Sequence, residues 1–248
     1  MISTGIVERA DLATVFADYG VAGAFALHDV AAGRTIVVDP DRAARRLVPA
    51  STFKVANSLI ALETGVIADE NEVVPYGGRP QPIRAWEADM PIRDAIRVSN
   101  VPVYQTLARR VGLARYRLWL GRLGYGNADP GDRVDTFWLR GPLAISAVEQ
   151  TRFLARLARG ALPASARSQA IVRDILRVEQ GPGYTLHAKT GWSNAGTPQL
   201  GWWVGWVERG DAHHSFALNI DIRSRSDADK RIPLGRALLA RLGLTGGP

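Results

Sequence analysis

Strand-forming residues are concentrated near the two ends of this chain, and the long stretch between them is helical in pattern. Residues 23–30 (GAFALHDV) and 34–40 (RTIVVDP) are apolar, β-branched runs joined by Ala-Ala-Gly, which reads as a hairpin. A second such pair, 199–208 (QLGWWVGWVE) and 214–222 (HSFALNIDI), is joined by a turn around Arg-Gly-Asp-Ala, and 184–192 (YTLHAKTGW) supplies a fifth strand. Helical patterns at 7–19 and 234–242 flank the set, and the middle reads as helices at 51–64, 92–97, 102–111, 114–123 and 165–178. The segment from Ser146 opens with a capping box, in which the Ser146 hydroxyl and the Glu149 carboxylate cover free helix amides. Turn-rich sequence fills 69–89.

Strands that must pair across such a separation imply one α+β unit spanning 1–248 rather than two sequential domains. A five-stranded antiparallel sheet is expected from about 1–48 and 182–248, with a helical lobe of about 49–181 inserted between them. The groove between the lobes is the expected ligand site.

Several function classes are disfavoured by composition. With no cysteine there is no thiolate nucleophile, disulfide or cysteine metal site. The four histidines form no His-x-His-x-Asp or His-Glu-x-x-His cluster, so no metal is expected. No apolar run approaches the roughly 20 residues needed to span a bilayer, and no signal-peptide pattern opens the sequence. The net charge of +7 comes from arginines dispersed at helical spacing, which reads as solvated faces rather than a nucleic-acid surface.

Three short motifs carry chemistry. In "PASTFKVANSLIAL", Ser51 and Lys54 lie one turn apart on one face of a helix start, where the macrodipole favours developing negative charge. A serine hydroxyl needs an adjacent base to become a nucleophile. The apolar pattern that follows Lys54 suggests an amine out of water; the alternative is an N-cap serine and a solvated lysine. In "RVSNVPVYQ", Ser99 precedes a proline-started helix, a position usually held by a cap. In "HAKTGWS", alternation puts His187, Lys189 and Gly191 on one strand face and Leu186, Ala188 and Thr190 on the other; a lone strand lysine is usually an exposed edge residue. Lys54, Lys189 and Lys230 are the only lysines.

Taken in order, Ser-x-x-Lys, Ser-x-Val and Lys-Thr-Gly resemble the penicillin-recognising serine enzymes. "PASTFK", "SNVPVYQ", "YGN" (Tyr125, Gly126, Asn127), "FWLRGPLAISAVEQ" with Trp138, and "KTGW…GWWVGWVE…FALNIDI" resemble class D serine β-lactamases over nearly the whole chain. That resemblance implies a hydrolase of β-lactam antibiotics, oxacillin-type penicillins among them, in which Ser51 is acylated. Lys54 would be carboxylated by carbon dioxide and serve as general base, with Val101 as an apolar wall and the Trp138 indole N–H as a donor. Ser99 would relay a proton between the nucleophile and Lys189, the backbone amides of Ser51 and Trp192 would form the oxyanion hole, and Thr190 and Gly191 would line the opposite wall. Tyr125, Gly126 and Asn127 would be structural. No organic cofactor or metal is implied. The arginine that anchors the substrate carboxylate in this family falls on Asp229 when Ile232-Pro233 is matched; Arg231 is taken for the role, with Lys189 and Thr190 as the alternative anchor. The implied setting is periplasmic or secreted, as monomer or homodimer, with neither nucleic acid nor membrane as partner. The alternative within the fold is a penicillin-binding transpeptidase, carboxypeptidase or sensor domain that deacylates slowly.

Overall fold

The computed structural model describes residues 5–246. Its centre is a seven-stranded sheet, formed by β1 (Ile6–Glu8), β2 (Gly23–Asp29), β3 (Arg34–Val38), β6 (Arg177–Gly181), β7 (Tyr184–Ser193), β8 (Gln199–Arg209) and β9 (Ala212–Ile222). Two short strands, β4 (Val73–Val74) and β5 (Met90–Pro91), pair separately. The sheet order is β1-β3-β2-β9-β8-β7-β6, so the N-terminal hairpin meets the C-terminal one in the middle, with Phe25 opposite Leu218.

β8 and β9 are buried along most of their length because both sheet faces are covered. On one face Trp202, Val204 and Trp206 join the core of the helical lobe; on the other Trp203, Val207, Phe216 and Leu218 meet α1 (Ala13–Tyr19) and α11 (Arg231–Arg241). The remaining helices are α2 (Pro40–Ala44), α3 (Lys54–Glu63), α4 (Ile92–Arg97), α5 (Val101–Val111), α6 (Leu113–Leu123), α7 (Phe137–Arg140), α8 (Ala147–Ala158), α9 (Ala166–Leu176) and α10 (Arg225–Asp229). α3 is buried on every side from Lys54 to Leu62, packed against α5 and α9. The Ser146–Glu149 capping box starts α8 as the sequence predicts.

The expected five strands are seven, and the sheet is not wholly antiparallel, since β1 runs parallel to β3. Both extra strands lie at edges. β1 is exposed at all three residues, so it has no inward-facing apolar position to announce it, and Val7 and Glu8 fall within the helix expected over 7–19; that helix starts at Ala13, after a 3-10 turn at Ala10–Leu12. β6 is polar and largely exposed, and its first two residues were read as the end of the 165–178 helix, which stops at Leu176.

Candidate active site

A 3-10 turn, Ala50–Phe53, leads into α3 and carries Ser51. Ala50 takes a left-handed conformation (φ +49°), unfavourable for a residue with a Cβ and sustained by its surroundings. Thr52 holds the turn from within: its hydroxyl donates to Pro49 O (2.7 Å) and accepts from Gln150 Nε2 of α8 (2.8 Å). Trp202 Nε1 of β8 donates to Val48 O (2.9 Å), fixing the lead-in. β7 lies against the same turn, because a Cβ added at Gly191 would stand 3.1 Å from Thr52 Cγ2 and 3.2 Å from Pro49 O. Glycine at that position lets the strand approach the turn that carries Ser51.

Lys54 is the first residue of α3 and is fully buried. Its Nζ donates to Ser51 Oγ (2.7 Å) and lies 5.3 Å from the centre of the Tyr104 ring. Among the described residues it has no carboxylate partner. Burial, reinforced by the positive charge of Lys189, pushes its pKa well below the usual lysine value, so the neutral amine is favoured. The Trp138 indole is also fully buried, packed 5.6 Å from the Phe53 ring, and its Nε1–H has no acceptor among the described residues. An unpaired buried donor of this kind costs roughly 1–3 kcal/mol unless a ligand or modification satisfies it. Val101, half-buried, begins α5.

Ser99 is not the α5 cap. Asn100 is, its Oδ1 accepting from Val103 N (3.0 Å), and this leaves the Ser99 hydroxyl free. Ser99 itself is left-handed (φ +54°), which turns its side chain out of the α4–α5 junction toward β7. There Lys189 Nζ donates to Ser99 Oγ (3.0 Å) and to Thr190 O (3.0 Å). Lys189 is no exposed edge residue: β8 pairs with it on one side, it is 5% exposed, and burial together with Arg231 lowers its pKa to about 7.

Arg231 lies at the start of α11, where its Nη1 donates to Gly191 O (2.6 Å), its Nε donates to Ala228 O (2.6 Å), and the guanidinium sits 5.7 Å from the Trp192 ring centre. Its charge is therefore near Lys189 and Gly191, although part of its donor set is already spent on backbone. Lys230 points elsewhere, pairing with Asp227 at 2.8 Å.

Tyr125, Gly126 and Asn127 form a clamp beneath the nucleophile turn. The Tyr125 hydroxyl is buried beside Thr52 and Gln150. Gly126 has φ +54° and would place a Cβ 2.1 Å from Ala144 O, so only glycine fits. Asn127 accepts from Ala144 N (3.0 Å) and donates to Pro142 O (2.8 Å), tying down the segment that follows Trp138.

The structure therefore links Ser51 to Lys54, and brings Ser99 and Arg231 to the Lys189–Trp192 stretch of β7 beside the Ser51 turn, with Trp138 behind Phe53. Sequence reasoning missed the Thr52–Gln150 pair and Tyr104; their only signal was polar groups inside otherwise buried helices. Among the described residues, no group of three histidines, cysteines or carboxylates could hold a metal ion.

Residues 32–240 match the penicillin binding protein transpeptidase domain family. The β-lactamase OXA-5 of Pseudomonas aeruginosa is 41% identical over 246 residues, covering 98% of this chain and 92% of that protein. This chain belongs to the class D β-lactamases. The family's solved structures agree in shape as well as sequence. The crystal structure of the class D β-lactamase FUS-1 (OXA-85) from Fusobacterium nucleatum subsp. polymorphum superposes with a TM-score of 0.92 at 37% identity, covering 96% of this chain and 99% of that one. The class D β-lactamase YbXI from Nostoc gives 0.91 at 40% identity, covering 94% and 98%.

Proposed function

We propose that this class D β-lactamase hydrolyses β-lactam antibiotics, penicillins of the oxacillin type among them, through an acyl-enzyme on Ser51. The observation that carries this reading is the buried Lys54 amine, 2.7 Å from Ser51 Oγ and without a counter-ion, in the same core as the unpartnered Trp138 N–H. Ser51 Oγ attacks the lactam carbonyl carbon; the C–O bond forms, the ring C–N bond breaks, and the hydroxyl proton leaves toward Lys54. The backbone amides of Ser51 and Trp192 receive the oxyanion; one such donor contributes about 3–4 kcal/mol to lowering the barrier. Ser99, hydrogen-bonded to Lys189 at 3.0 Å, delivers a proton to the departing nitrogen. Lys189, Thr190 and Arg231 hold the substrate carboxylate. Water then attacks the ester carbonyl, and Ser51 is released with its proton.

The residues around Lys54 suit carboxylation: a neutral amine reacts with carbon dioxide, and the Trp138 N–H offers the donor that a new anion there requires. Held on Lys54 as a carbamate, carbon dioxide would supply an anionic oxygen as the general base. Val101 and Phe53 keep that pocket dry. The working location is periplasmic or extracellular, as a monomer or homodimer; no described helix is long and apolar enough to cross a membrane.

Benzylpenicillin turnover with and without added bicarbonate, on wild type and Lys54→Ala, tests the proposal. Bicarbonate raises the wild-type rate, and Lys54→Ala acylates slowly and fails to deacylate. A wild-type acyl-enzyme that persists for hours would refute the hydrolase, and a bicarbonate-independent rate with normal Lys54→Ala deacylation would refute the carbamate.

A further inference from the structure

Pairing of β6 with β7 breaks off early. The register shifts between Arg177 and Glu179, the last pair is Arg177 with His187, and the chain before it belongs to α9. The β7 edge from Ala188 to Thr190 is thus left without a pairing strand, and a cavity of about 280 Å³ occupies the gap between α4, the end of α9 and α11. Its floor is apolar and rigid, made by Leu176, Ala188 and Trp203, all buried. Its rim carries two large apolar side chains that the fold leaves in water, Val178 (58% exposed) and Ile232 (41%). It also shares Lys189 and Thr190 with the catalytic face.

The charge on this rim is one-sided. Arg97, Arg177 and Arg236 line the cavity and no carboxylate does. Arg177 is engaged by Asp174 and Arg236 by Glu179, whereas Arg97, exposed at the end of α4 two residues before Ser99, has no ion pair among the described residues. An apolar slot with an unneutralised guanidinium at its mouth suits a flat group bearing an anion.

We infer that this cavity is a subsite for the C3 side group of cephalosporins, and that it favours side groups that are both aromatic and acidic. The inference rests on the proposed β-lactam hydrolysis and on the ring carboxylate lying at Lys189 and Thr190. A cephalosporin carries its C3 substituent on the carbon next to the one bearing that carboxylate. A carboxylate held at Thr190 therefore directs C3 toward the cavity that Thr190 also lines. Penicillins carry only two methyl groups on the corresponding ring carbon, which are too short to fill the subsite.

The experiment uses three cephalosporins with the same acylamino group and, at C3, a methyl, a pyridinium-methyl, or a carboxylate-bearing heteroarylthiomethyl group. Benzylpenicillin serves as the reference. The wild type is expected to show at least a fivefold lower KM for the acidic side group than for methyl, and a higher KM for pyridinium. Arg97→Glu is expected to reverse the order of the two charged substrates. Ile232→Trp, which fills the slot, removes the advantage of the acidic ring. Both variants keep kcat/KM for benzylpenicillin within twofold of wild type. Equal KM across the series with intact benzylpenicillin turnover overturns this inference alone, as does a change in Arg97→Glu that is the same for all three cephalosporins. Absence of benzylpenicillin turnover in wild type overturns the hydrolase reading and this inference with it.

Discussion

Replacing Lys54 by methionine should destroy activity and raise stability. The wild-type chain buries an amine with one hydrogen-bond partner, Ser51 Oγ, and no counter-charge. Burying a polar group that is incompletely paired costs roughly 1–3 kcal/mol on protein mutational data. The hydrogen bond lost in the variant contributes about 1 kcal/mol. Methionine fills nearly the same volume without a polar atom, so packing against Tyr104 and Phe53 changes little. A net gain of up to about 2 kcal/mol follows, or up to roughly 8 °C in Tm for a chain of this size. Differential scanning calorimetry in carbon-dioxide-free buffer at neutral pH measures it. The pH dependence gives a second reading. Burial lowers the Lys54 pKa, so in the alkaline range the unfolded chain binds a proton that the folded chain does not, and wild-type stability rises with pH up to the ordinary lysine value of 10.5. In Lys54→Met part of that rise disappears, leaving the contribution of Lys189 between about 7 and 10.5. Added bicarbonate should stabilise wild type and leave the variant unchanged. A variant less stable than wild type in carbon-dioxide-free buffer, with an unaltered pH slope, would refute the argument that the amine is a strained, neutral group.

Trp138→Phe keeps the aromatic packing on Phe53 and removes the unpartnered N–H; the bicarbonate concentration needed for half-maximal penicillin turnover should rise at least tenfold, read by titration. The Lys189 ammonium is populated below its pKa of about 7, so kcat/KM for benzylpenicillin should fall as pH rises past that value. Arg231→Ala removes a like charge that depresses this pKa, and the falling limb of the profile should move to higher pH. Gly126→Ala combines a left-handed backbone with a 2.1 Å clash against Ala144 O and should cost about 2–4 kcal/mol in chemical denaturation. Asn100→Ala removes the α5 cap at a cost of about 1 kcal/mol; because α5 begins beside Ser99, turnover should fall alongside stability.

Ser51, Lys54 and the Lys-Thr-Gly strand were legible because their spacing is local: three residues on a helix and alternation on a strand both follow from backbone geometry. The apolar run after Lys54 also announced its burial correctly. The role of Ser99 was harder to read, because a serine before a proline-started helix matches a cap by sequence, and only the left-handed backbone shows that Asn100 took that position. The edge strands β1 and β6 escaped for a related reason. An edge strand held by one neighbour and facing water carries no burial pattern, so its hydrogen bonds are invisible until the partner strand is placed. Arg231 illustrates the same limit, since its bond to Gly191 O joins positions that only the folded sheet makes neighbours.

The pairing of β2 with β9 at the middle of the sheet has a consequence for how the chain is made. A ribosome delivers the β2–β3 hairpin early, but the strand that covers its inner edge is among the last to emerge. Until then Phe25 and Leu27 are paired only with Val38 and Ile36 of β3, and a half-finished chain offers an open edge to other chains. Val48, just before the nucleophile turn, is likewise pinned by Trp202 of late-arriving β8. Acylation competence should therefore appear in a single late step of synthesis or refolding, which makes covalent labelling by a fluorescent penicillin a clock for closure of the sheet.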